Sequence, residues 1–178
     1  MALVVLLRGV NVGGHRTFRP SVLAQRLRRY QVVSIGAAGT FVVRRPGLRG
    51  AVRSAFARLL PFDTEIIMCD GTDIKRLVAR DPLAGQPVRR DRVRFVSLLS
   101  RSPRAKPVLP IHIPSTARWM VRVVARRKRL IVGEYRRRLT VLKHLAALDR
   151  LFGVTLTTRS WSTMALVAAM LRSGRFPL

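Results

Sequence analysis

Leu3-Val4-Val5-Leu6-Leu7 runs directly into Arg8-Gly9-Val10-Asn11-Val12-Gly13-Gly14, and the reading of the chain turns on this junction. Five consecutive aliphatic residues suit a strand buried on both faces, and the glycines that follow bend the chain into a loop. Pro20 suits the first turn of a helix, in which Leu23, Leu27 and Tyr30 recur at helical spacing and leave Arg26, Arg28 and Arg29 on the other side. Residues 31–35 and 40–44 are β-branched runs separated by Gly36-Ala37-Ala38-Gly39, the spacing of a hairpin. Leu48, Val52, Ala55, Phe56 and Leu59 repeat as a helix that Pro61 ends, and residues 64–69 make a fourth strand. The order β-α-β-β-α-β is that of the split βαβ unit. The expected fold class is therefore α+β, with a ferredoxin-like subdomain over residues 1–70.

The remainder reads as a second, smaller α+β subdomain over residues 71–178. Asp70-Gly71-Thr72-Asp73 can cap a short helix from Ile74 to Ala79, closed by Pro82. Arg92 to Leu99 has strand character. The segment 101–115 carries Pro103, Pro107, Pro110 and Pro114, which excludes a helix or a central strand and leaves an extended connector. Residues 118–125 and 130–135 read as a hairpin around the turn Arg126-Arg127-Lys128-Arg129. Val141, Leu145, Leu148 and Phe152 mark a helix that Gly153 ends. Residues 154–158 read as a strand, and Ser162 or Thr163 as the cap of a last helix reaching Leu171.

Across its 178 residues the chain holds 35 Lys+Arg against 8 Asp+Glu, a formal net charge of +27. With 48% hydrophobic residues it carries enough apolar surface to fold, which excludes a disordered basic tail. Its apolar runs are shorter than the ~18 residues of a membrane-spanning helix. The apolar start lacks the basic flank and cleavage pattern of a secretory signal. One cysteine, Cys69, agrees with a reducing compartment, so the expected location is cytoplasmic. Arginine outnumbers lysine 31 to 4, a bias that GC-rich coding produces by itself. The scarcity of acids has no such origin and implies a polyanionic partner. Residues 1–88 hold 14 basic and 5 acidic groups, whereas residues 89–178 hold 21 and 3, so the second half is the more charged.

Residues 118–138 concentrate that charge. Arg118, Arg122, Arg126, Arg127, Lys128, Arg129, Arg136, Arg137 and Arg138 surround Trp119 and Tyr135, with Glu134 the one acid. A strand-borne basic hairpin can track a phosphate backbone, which makes these nine residues the expected nucleic-acid contacts; a solvated face is the plainer alternative. The glycine loop occupies a strand-to-helix position where backbone N–H groups can wrap an anion, though it matches neither a P-loop nor G-x-G-x-x-G, and tight turning explains it equally well. Thr157-Thr158-Arg159-Ser160-Trp161-Ser162-Thr163 packs five hydroxyls, a guanidinium and an indole together; capping explains much of this and leaves Arg159 without an obvious structural role. His15, His112 and His144 are far apart and Cys69 lies in an aliphatic run, so no metal site and no cofactor are expected. His15 is a candidate acid or base. Asp70 and Asp73 read as turn and cap groups. No nucleophile–base pair indicates a reaction type.

Leu6-Leu7-Arg8-Gly9-Val10-Asn11-Val12-Gly13-Gly14 resembles the LLRGxNVGG opening of the bacterial family catalogued as domain of unknown function 1697 (DUF1697). Thr157 to Thr163 is similar to that family's TTRNWNT segment. Where the family has Ser-Gly-Asn after the second strand, this chain has Ala38-Gly39-Thr40, and the two asparagines near the end are Ser160 and Ser162. The resemblance implies two α+β subdomains, the first ferredoxin-like, and no activity. It also points to a place: Arg8, Asn11, Gly13, Gly14, Thr158 and Arg159 would line one anion or ligand site if the two motifs meet.

The leading expectation is a non-enzymatic nucleic-acid-binding protein of weak sequence specificity. RNA is slightly favoured, because the β-α-β-β-α-β order is also that of the RNA-recognition domain. The stacking aromatics of that domain are missing, apart from Phe41. The alternative is a binding protein or enzyme for a small phosphorylated ligand or nucleotide at the glycine loop and the Thr157–Thr163 junction. A third reading is attachment to ribosomes or anionic lipid through the same charge.

Overall fold

The aliphatic run Leu3–Leu7 forms β1, and all five residues are buried in the computed structural model, which describes residues 1–173. Among the described residues there are two antiparallel sheets and five α-helices. The chain divides into two units, one of residues Met1–Val78 with the helix end from Ala165, the other Ala79–Met164. A single cut at residue 70 places the C-terminal helix differently from this division.

In the first unit β1 is followed by α1 (Pro20–Arg26), β2 (Val32–Ile35), β3 (Thr40–Val43), α2 (Arg49–Leu59) and β4 (Ile66–Asp70), with sheet order β2-β3-β1-β4. Leu3, Val5, Leu7, Phe41 and Val43 pack on Leu23 and Leu27 and on Val52, Ala55 and Phe56 of α2. Each large side chain so buried stabilises the unit by about 1.5–3 kcal/mol. Val4, Leu6, Val42, Ile67 and Cys69 alternate with these and are buried as well, which is why β1 reads as an unbroken aliphatic run rather than an alternating one. The helix expected to reach Tyr30 stops at Arg26. Arg28–Tyr30 forms a 3-10 turn and Gln31 takes φ +51°, tightening the chain before β2. Gly39 has φ +68°, and a Cβ there would lie 2.7 Å from Cγ2 of Val10, so the β2–β3 turn presses on the loop after β1.

The second unit follows α3 (Gly71–Arg80), which begins three residues before the expected start at Ile74. It holds β5 (Arg92–Leu99), β6 (Ile111–Ile113), β7 (Val121–Arg127), β8 (Leu130–Arg136), α4 (Val141–Phe152), β9 (Leu156–Ser160) and the start of α5 (Trp161–Ser173), with sheet order β6-β7-β8-β5-β9. Val141, Leu148 and Phe152 of α4 pack against Phe95, Leu99, Val121, Val123 and Ile131 on one sheet face. The proline-rich connector contributes β6 at the sheet edge, the one position where missing N–H donors are tolerated. The strand expected at 154–158 starts later because Val154 still belongs to the end of α4: its N–H donates to the Asp149 carbonyl at 3.1 Å. The strand then extends to Ser160, whose Oγ accepts the Thr163 N–H at 3.2 Å. Ser160, rather than Ser162 or Thr163, therefore caps α5. Among the described residues no helix is long and apolar enough to cross a membrane.

Candidate nucleic-acid interface

Arg122, Glu134 and Arg136 of the β7–β8 hairpin stand on the sheet face opposite α4. Arg122 pairs across the ladder with Glu134, Glu134 with Arg94, and Arg136 with Arg92. Directly opposed residues point to the same side of a sheet, so four guanidiniums share one face with one carboxylate. Glu134 is 2% exposed, and its Oε2 accepts from Nη2 of Arg122 at 2.9 Å and from Nη1 of Arg92 at 3.4 Å. Gln86 accepts from two of the four: its Oε1 from Nη2 of Arg122 at 2.6 Å and its carbonyl from Nη2 of Arg94 at 2.5 Å. The ring of Trp119 lies under three of the cations, with the guanidinium carbons of Arg92, Arg136 and Arg122 at 4.9, 5.0 and 5.5 Å from its centroid. An electron-rich ring face offsets part of the repulsion between the opposed Arg92 and Arg136. Even so, the Nε–H groups of Arg92, Arg94 and Arg122 are buried and meet no acceptor among the described residues.

Gly133 makes this close ladder feasible. A Cβ there would fall 2.1 Å from the Arg122 carbonyl oxygen and 2.9 Å from the Phe95 ring. A bulge between Val123 and Ala125 then turns the outer part of β7. The strands run to Arg127 and from Leu130, so the expected four-residue tip shortens to Lys128-Arg129, with Lys128 at φ +51°. Arg129 anchors that tip by donating from Nη1 to the Leu99 and Ser100 carbonyls at 3.1 and 2.9 Å. A cavity of about 510 Å³ beside it is lined by Lys106, Arg126, Lys128 and Arg129 with Ser102 and Pro103, and Nη1 of Arg126 is buried with no acceptor among the described residues.

The nine expected hairpin contacts thus separate into two groups. Arg118, Arg127, Lys128, Arg137 and Arg138 are exposed; Arg122, Arg126, Arg129 and Arg136 are half-buried. Sequence reasoning missed Arg92 and Arg94, although two arginines spaced by one residue at the start of a strand place both on one face.

The residues expected at an anion site fall in different units. Arg8, Asn11, Gly13 and Gly14 belong to the first, Thr158 and Arg159 to the second. The Arg8 carbonyl accepts from Oγ1 of Thr64 at 2.6 Å. The Asn11 carboxamide acts as a bracket: Nδ2 donates to the carbonyls of Ala37 and Phe18 at 2.6 and 3.1 Å, and Oδ1 accepts the Phe18 N–H at 2.9 Å. Gly13 and Gly14 are exposed, with φ of +58° and +77°, and His15 donates its backbone N–H to Val12. Thr158 shares a 2.6 Å hydroxyl contact with Ser97. Arg159 is buried, and its Nη1 donates to Oγ1 of Thr157 and to the Thr158 carbonyl. Loss of hydration lowers its guanidinium to about 10. Among the described residues no three His, Cys, Asp or Glu side chains cluster as metal ligands.

A family model described as "Protein of unknown function (DUF1697)" matches residues 1–127. That range includes the glycine loop and all of β7 but not Thr157–Thr163. No curated protein matches the chain. Among solved structures, the conserved bacterial protein SP0830 from Streptococcus pneumoniae is similar over 96% of this chain and 98% of its own, with a TM-score of 0.65 at 15% identity. At that identity the likeness concerns the fold alone.

Proposed function

The chain belongs to the DUF1697 family, whose function is unknown, and from that premise we propose that it is a non-enzymatic protein that binds the phosphate backbone of nucleic acid through the β7–β8 hairpin. One observation carries this reading. The hairpin's single carboxylate is buried between Arg92 and Arg122, and residues 118–138 hold no second acid to face the exposed Arg118, Arg127, Arg137 and Arg138. Phosphate contacts of this kind position a protein on nucleic acid and carry little sequence information.

The order β2-β3-β1-β4, with helices after β1 and β3, supports reading the first unit as ferredoxin-like. In RNA-recognition domains of that topology, exposed aromatics on the sheet stack on bases. Here Phe41 is fully buried against Phe56, at a ring separation of 5.1 Å. The first sheet therefore offers no stacking platform, and the proposed binding rests on charge in the second unit. The single, buried Cys69 suits action in a reducing cytoplasm.

The test is binding of nuclease-treated protein to labelled single-stranded RNA and duplex DNA across a salt series, with heparin as competitor. The reading predicts log K falling linearly with log salt, by about 0.7 per contacted phosphate on a single strand and about 0.9 on a duplex. It also predicts nucleic acid retained against an equal charge of heparin. Displacement by heparin at parity would reduce the hairpin to an unspecific cationic surface.

A further inference from the structure

A second cavity lies wholly within the second unit, where the start of β5 meets the β9–α5 junction. Its volume is about 200 Å³, and its cationic walls come from Arg89, Arg92, Arg94 and Arg137. Trp161, Ser160 and Ser162 close the other side, and Glu134 is the one acid lining it. Glu134 is already shared between Arg92 and Arg122, so the lining keeps a surplus of positive charge.

The guanidiniums are also held in place. Arg94 is tied to the Gln86 carbonyl, Arg92 lies between Glu134 and the Trp119 ring, and Nε of Arg137 donates to the Arg90 carbonyl at 3.1 Å. Fixed planar forks of this kind match the oxygens of a phosphate better than flexible ammonium groups do. The buried Nε–H groups of Arg92 and Arg94, which meet no acceptor among the described residues, are donors whose burial is costly unless an acceptor reaches them. Ser162 is exposed at the rim, and the Trp161 indole supplies an apolar wall.

We propose that this cavity binds a phosphomonoester dianion. Arg92, Arg94 and Arg137 grip the phosphate, and Trp161 packs on a small carrier group. Size sets the class, because drug-sized ligands occupy about 300–1,000 Å³. The cavity has room for a phosphate with a pentose-sized carrier and leaves the rest of a longer ligand outside it. The surplus of guanidinium favours a dianion over the single charge of a backbone diester. The site shares Arg137 with the hairpin contacts, but the exposed cations Arg118, Arg127 and Lys128 do not line it, so variants of those three separate the two readings.

The experiment is calorimetric titration of the full chain with ribose 5-phosphate and with ribose. It is accompanied by a pair of short oligonucleotides that differ only in a 5′-phosphate or 5′-hydroxyl end. Ribose 5-phosphate should bind saturably and ribose should not. Arg94→Lys, which keeps the charge but loses the fork, should weaken binding about tenfold or more, as should Arg137→Gln. Lys143→Gln, on the exposed side of α4, should leave it unchanged. Should Arg94→Lys lower the melting temperature, the exposed Arg137→Gln decides the matter alone. Preference for the 5′-phosphorylated oligonucleotide assigns the ester to nucleic-acid ends; equal binding of the two oligonucleotides assigns it to a free small ester. Absence of saturable ribose 5-phosphate binding, or an equal loss in Lys143→Gln, overturns the proposal. Failure of both oligonucleotides with ribose 5-phosphate binding intact contradicts the backbone reading and spares the cavity.

Discussion

In the first sheet every residue of β1 and β3 is buried, and an ion pair at its end, Arg49 with Asp70, is 45% and 33% exposed. In the second sheet β5 opens with the half-buried Arg92-Val93-Arg94, β7 alternates, and the carboxylate of Glu134 is sealed beneath its arginines. Positive charge is thus placed in two physically different ways. In the first unit cations sit on helices and loops, where water screens them. In the second they stand on the sheet, partly desolvated and gathered around a single acid. Solvated cations demand nothing of a partner, whereas gathered and half-buried ones favour an anion.

The sharpest way to break this contrast is to remove one acid from each sheet. Glu134→Ala leaves Arg92 and Arg122 facing each other without a counter-charge and should cost about 3 kcal/mol in urea unfolding. Asp70→Ala removes a screened pair and should cost no more than about 1 kcal/mol. Equal losses would mean that the ladder is solvated like the rest of the surface.

The next effects are about 2 kcal/mol each. Gly133→Ala places a Cβ against the Arg122 carbonyl and should destabilise by that amount through overpacking of β7 on β8. Asn11→Ala releases three hydrogen bonds to backbone groups and should lower stability comparably, with nucleic-acid affinity unchanged. A fall in affinity in Asn11→Ala at unchanged fold would return the glycine loop to the binding surface. The smallest effect belongs to the cap of α5. Ser160→Ala should cost about 1 kcal/mol, and Ser160→Asn, the residue of the family pattern, close to nothing, as read from thermal melting.

Much of this architecture is legible from local pattern. The aliphatic run Leu3–Leu7, the helix Val141–Phe152 with its glycine stop and the strand Arg92–Leu99 occur where periodicity puts them. The misses have local physical causes. Strand β6 hides among prolines because only an edge position tolerates them. The β9 boundary slips because Arg159 is buried opposite Val96, against the rule that strand interiors are apolar. Arg26, Arg28 and Arg29 gave no sign that the helix would tighten before β2. At the candidate site the cationic hairpin is legible from composition alone. That Glu134 is buried between β5 and β7 is not, because it depends on pairing between residues some 40 positions apart, which no local pattern encodes. The same register carries Arg92 and Arg94 into the ladder.

The most direct test of the account is the salt dependence of RNA binding in the wild-type protein beside an Arg118→Gln, Arg127→Gln, Lys128→Gln variant. These three exposed residues are chosen because Arg129 anchors the hairpin tip. If the hairpin contacts the backbone, the variant's slope of log K against log salt should be shallower by about 2, or about 0.7 for each lost contact. Its melting temperature should be unchanged. An identical slope in the two proteins would contradict the assignment of the interface to the β7–β8 hairpin.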